Sequence, residues 1–112
     1  MEQKIRYAYG LLSSATSEYH EATEQAIMAR SALERAKLGG LASGAIEGKN
    51  AELREASARK QLAGLYAELE TAEKEERSAR LWLDLARLGV EEIRALLRLA
   101  EIQAKMTSDL ED

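Results

Sequence analysis

Apolar residues recur along the chain in alternating steps of three and four, and the pattern is interrupted once. Between residues 2 and 38 one row runs Ile5, Leu12, Tyr19, Ala26 and Leu33, and a second runs Ala8, Ala15, Ala22, Ala29 and Ala36. Between residues 50 and 110 the rows are Leu62, Leu69, Glu76, Leu83, Val90, Leu97 and Ala104, and Ala58, Leu65, Ala72, Ala79, Ala86, Ile93 and Ala100. Steps of three and four keep side chains on one face of an α-helix. A strict period of seven makes that face supercoil against a second helix. The spacing therefore predicts an all-α fold with helices over 2–38 and 50–110. Residues 39–49, which hold four of the seven glycines, read as the loop between them. Gly39 and Gly40 stand where a helix end favours a left-handed residue. Asn50 stands where a side-chain oxygen can cap the next helix. Residues 1–112 form a single helical domain on this reading.

Folding the chain at the loop brings the rows together as a long antiparallel hairpin, a coiled coil with an alanine-rich seam. The repeat allows only registers that differ by seven. In one of them, where the numbers of facing residues total 91, Ile5 faces Ala86, Ala8 faces Leu83, Tyr19 faces Ala72 and Ala26 faces Leu65. Large against small fills a seam without voids or strain, so this register is expected over residues 3–88.

That register leaves residues 90–110 as a C-terminal helical extension with no partner. Yet 81–102 is the most apolar stretch of the chain, and it carries a further seam of Leu81, Leu85, Leu88, Glu92, Ala95, Leu99, Ile102 and Met106. A helix that is apolar on two faces requires two neighbours. The expected interface for self-association or a protein partner is thus Leu81, Leu85, Leu88, Val90, Ile93, Leu96, Leu97, Leu99, Ile102 and Met106. The heptad phase is unbroken across Gly89 and nothing stands ready to cap a helix at Val90. The straight helix with a homo-oligomer, a dimer by base rate, is preferred to the alternative, a three-helix bundle with a turn at Gly89.

Composition narrows the chemistry. Charged residues make up 32% of the chain, and proline, cysteine and phenylalanine are absent, the profile of long helices. Without cysteine there is no disulfide or thiolate chemistry, which suits a cytoplasmic setting. No signal peptide and no membrane-spanning segment is expected. Gly44 to Gly48-Lys49 is one residue short of a phosphate-binding loop, and Asn50 replaces its Ser/Thr, so no nucleotide or other cofactor is expected. His20, the single histidine, lacks the Glu-x-x-His pairs of a di-metal bundle. The ridge of Glu70, Glu73 and Glu76 lacks a cleft that would shift a carboxylate toward acid–base work. Both read as solvated faces, and no catalytic or metal-binding residue is expected. Arg80, Arg87 and Arg94, with Arg98, form a stripe that could contact phosphates, although salt bridges beside a helical seam account for it as well. Tyr7, Tyr9 and Trp82 are expected to lie near one another in the 91 register.

The stretch Gly48-Lys49-Asn50-Ala51-Glu52-Leu53-Arg54-Glu55, leading into an Ala/Leu/Glu-rich helix, resembles small helical hypothetical proteins of bacteriophage and prophage genomes. The resemblance implies a viral accessory or structural role in the cytoplasm of a bacterial host and carries over no site residue. The expected function is non-catalytic: helical assembly or protein–protein interaction, with the alternative of a nucleic-acid-binding accessory protein using the arginine stripe.

Overall fold

The computed structural model describes residues 1–111, and among these it is all-α. The helices are α1 (Glu2–Ser43), α2 (Ala51–Gln61) and α3 (Ala63–Glu111), with α1 packed against α3 as a hairpin. Two compact units are resolved: a terminal unit, Met1–Glu18 with Ala79–Asp112, and a loop unit, Tyr19–Ser78.

The loop is shorter than the glycine pattern suggests. α1 runs through Gly39 and Gly40 and ends at Ser43. The left-handed residue that follows it is Gly44, at φ +81°, the conformation that favours glycine. Gly40 serves a different purpose. A Cβ there would lie 2.6 Å from Ile46 Cδ1, so the bare backbone lets Ile46 fold back and become buried. The Ile46 N–H donates to the Gly40 carbonyl at 3.0 Å, which satisfies one of the acceptors exposed at the helix end. Gly48, at φ +156°, passes so close to the start of α2 that a Cβ would lie 2.6 Å from Arg54 N. Asn50 caps α2 as expected: its side-chain oxygen accepts from the Leu53 N–H at 2.9 Å.

α3 passes through Gly89, as the straight-helix reading expects, and the alternative three-helix bundle turning there is overturned. One expectation about the second helical segment is corrected: it is not a single helix from 50 to 110. The interruption falls at Leu62, with φ −115° and ψ 30°. The hydrogen-bond ladder persists through it: the Leu62 N–H donates to the Ala58 carbonyl at 2.8 Å, and its own carbonyl accepts from the Tyr66 N–H at 3.1 Å.

The heptad rows face inward as the pattern requires. In the loop unit Ala26, Leu33, Ile46, Ala58 and Ala72 are buried, with Leu62, Leu65 and Leu69 half-buried. In the terminal unit Ala8, Ala15, Ala79, Leu83, Val90 and Ile93 are buried. At the C-terminal end of the rows, Ala100 and Ala104 are exposed.

The register differs from the expected one. Ala8 clusters with Val90 and Ile93, against which Ile5, Leu12 and Leu97 pack. The partner of Ala8 thus lies one heptad beyond Leu83. The longer α1 supplies the reason. The loop spans 44–50 rather than 39–49, so its midpoint moves toward the C-terminus. Every facing partner moves by twice that displacement, and the heptad phase then selects the next allowed register. Filling of the seam by large-on-small layers is outweighed by where the chain can turn. As a result Val90 and Ile93 are core residues, each stabilising the hairpin by roughly 1.5–3 kcal/mol. Residues 98–110 are all exposed.

Candidate interaction face

The outer face of α3 lies within the terminal unit. Leu83, Val90 and Ile93 turn toward α1, and helical geometry directs the row Leu81, Leu85, Leu88, Ala95, Leu99, Ile102 and Met106 away from it. The large members of that row are exposed, from Leu85 at 48% to Met106 at 60%. Leu96 beside it is exposed too. Of the residues expected at an interface, Val90 and Ile93 therefore belong to the chain's own core and Leu97 packs against it. The other seven stand on the surface. They are Leu81, Leu85, Leu88, Leu96, Leu99, Ile102 and Met106.

Along one edge of this face runs a groove of about 500 Å³, bounded by Tyr7 and Leu11 of α1 and by Trp82, Leu85, Gly89 and Leu96 of α3. Tyr7 and Trp82 both border it and are largely exposed. Tyr9 is absent from the lining of that groove, and its hydroxyl accepts a hydrogen bond from Arg94 Nε at 3.2 Å. The register shift carries Trp82 away from the position facing Tyr9.

The arginine stripe has its own acceptors nearby. Arg80 Nε lies 3.3 Å and Arg87 Nη1 3.8 Å from the same Asp84 carboxylate oxygen, all on one exposed helix surface. Arg94 is held by Tyr9, and Arg98 is exposed. Ion pairs as exposed as those of Arg80 and Arg87 contribute little to stability.

A polar cluster in the loop unit is one that sequence spacing does not reveal. Lys37 Nζ lies 3.1 Å from Glu55 Oε2, the Tyr66 hydroxyl donates to Glu55 Oε1 at 2.8 Å, and Arg59 Nε lies 3.5 Å from the same oxygen. Arg59 also stacks over the Tyr66 ring, 4.8 Å from its centroid. The hydrogen bond from Tyr66, then that from Lys37, holds the Glu55 carboxyl below its ordinary value. Lys37 is raised, first by its bond to Glu55. The Tyr66 phenol is raised, first by burial and then by its bond to Glu55. Glu55 and Arg59 are four apart, a spacing visible in the sequence. Lys37 and Tyr66 meet them only through tertiary packing. The cluster ties α1 to α2 and α3, and an open hollow lined by Arg59, Tyr66 and Glu70 borders it.

The remaining candidates differ in exposure: Glu73 and Glu76 are half-buried, whereas Glu70 is exposed. His20 is exposed, and among the described residues no group of three His, Asp or Glu side chains is placed to hold a metal. Within the glutamate ridge, Glu73 pairs with Arg30 of α1 at 3.4 Å rather than with a neighbour on its own helix. Lys49 is exposed in the loop. No helix among the described residues is long and apolar enough to cross a membrane. No protein-family model matches the chain, and neither a curated protein nor a solved structure matches it.

Proposed function

We propose that the protein is a non-catalytic assembly protein, and that it associates with itself through the outer face of α3. The observation that carries this reading is the row of large apolar side chains on that face. Leu81, Leu85, Leu88, Leu99, Ile102 and Met106 are each about half exposed or more, on a helix whose opposite face is already packed. A contiguous apolar surface of this kind marks an interaction site on a soluble protein. The likeness of residues 48–55 to small phage and prophage proteins suggests an accessory or structural role in a bacterial cytoplasm. The arginine stripe supports a nucleic-acid role less well, because Asp84 engages Arg80 and Arg87 and Tyr9 engages Arg94. Light scattering across a range of concentrations tests the association. The native chain should show at least twice the monomer mass, and Leu88→Glu should return it to a helical monomer. A native chain that stays monomeric throughout would falsify the reading.

A further inference from the structure

We infer that the occupant of the outer face of α3 is the same face of a second copy of this chain, running antiparallel, with the two-fold axis passing between Ile93 and Arg94. The inference rests on the association reading above and specifies its geometry. The face repeats in heptads from Leu81 to Met106, so a helix laid along it must itself carry a heptad repeat. In the antiparallel register centred there, Leu88 of one copy meets Leu99 of the other, Leu85 meets Ile102, and Leu81 meets Met106. The one acidic member of the row, Glu92, meets Ala95, whose small side chain lets the carboxylate bend out to water. In a parallel pair Glu92 would instead meet Glu92 of the second copy.

Charge selects the same register. One flank of the row carries Asp84, Glu91, Arg98 and Lys105 at steps of seven, all exposed. The first two are acidic and the last two basic. In an antiparallel pair this flank runs beside its own copy. The proposed register brings Glu91 against Arg98 and Asp84 against Lys105, each twice by symmetry. A shift of one heptad in one direction sets Glu91 against Glu91, and a shift in the other sets Arg98 against Arg98. In a parallel pair the flank faces Gly89, Leu96 and Gln103, and no charges are matched. Asp84 already has Arg80 and Arg87 beside it, so the central Glu91–Arg98 pair decides the register.

The other flank adds a fit of shape. There Leu96 of the second copy lies over Gly89. A Cβ at Gly89 would meet nothing within 4 Å, and the groove bordered by Tyr7, Leu11 and Leu85 opens at that point. Gly89 thus leaves a notch into which a leucine of the second copy fits, and every residue of this arrangement belongs to the terminal unit.

The test uses the full chain, which has no native cysteine. A spin label on Thr107→Cys should report a separation of about 40 Å between copies, from the 1.5 Å rise per residue over the offset to the facing position. A parallel pair would give less than about 20 Å. At low salt, Arg98→Glu should weaken dimerisation at least tenfold. Adding Glu91→Arg in the same chain should restore it to within a few-fold, which separates a charge effect from misfolding. A monomeric native chain overturns both this arrangement and the association reading. A dimer with the short label distance, or one indifferent to the charge reversal, overturns the arrangement alone.

Discussion

In the loop unit the buried residues are mostly alanines on the two facing rows, closed off by Ile46 and flanked by the Lys37–Glu55–Tyr66 cluster. In the terminal unit the buried set includes Leu83, Val90 and Ile93, and the same helix exposes a second row of leucines. Both units use one seven-residue repeat. The loop unit completes its packing with turn residues and polar side chains, whereas the terminal unit has a second apolar row that its own chain leaves uncovered. One face of a heptad helix thus suffices for the hairpin, and a second full row signals a use outside it.

The sharpest way to break this contrast is a pair of variants two positions apart. Leu83 is 3% exposed and Leu85 is 48% exposed. Leu83→Ala should cost about 2–5 kcal/mol in urea unfolding, while Leu85→Ala should leave the stability of the isolated hairpin nearly unchanged and weaken self-association. Equal losses at the two positions would erase the distinction between inner and outer rows. In the loop unit, Gly48→Ala combines an unfavourable φ with a Cβ pressed against Arg54 N. It should destabilise by about 1–3 kcal/mol, and an unchanged melting temperature would remove Gly48 from the devices that close that end.

The polar cluster sharpens the comparison through pH. Glu55 is held below its ordinary value of 4.5, so its contribution is present above that value and is lost as pH falls through the depressed pKa. Lys37 and Tyr66 are raised, so their contributions are complete below their ordinary values of 10.5 and 10.0 and are lost as pH rises through the raised ones. Thermal melts should therefore weaken at both extremes, and Glu55→Gln should flatten part of each limb. The smallest effect is expected at Thr23, whose buried hydroxyl has no hydrogen-bond partner among the described residues. Thr16, by contrast, donates to the Leu12 carbonyl at 2.7 Å. Thr23→Val should be neutral or stabilise by up to about 1 kcal/mol, where the same change at an already bonded threonine should not.

Much of the architecture is legible in the sequence, and the limits follow from particular residues. The rows from Ile5 to Leu33 and from Ala58 to Leu97 face inward because helical geometry alone fixes which residues share a face. The Asn50 cap is legible because capping is local. The register is not, because an alanine seam tolerates a slip of one heptad and the turn depends on how far α1 persists past Gly39. The helix carries on through both glycines, and Gly40 is explained only once Ile46 is seen to lie over it. On the candidate face, seven of the ten expected residues are exposed. The three that are not, Val90, Ile93 and Leu97, are those the slip moves into the core.

The short turn at 44–50 also bears on how the chain reaches this state. Joining the ends of so small a loop costs little chain entropy. Once it has closed, each further layer of the seam is added beside one already formed, with no new long loop to close. The hairpin should then grow like a zip from the turn outward. Changes near Ile46 and Ala58 should mainly slow folding, and changes near Ala8 and Val90 should mainly speed unfolding.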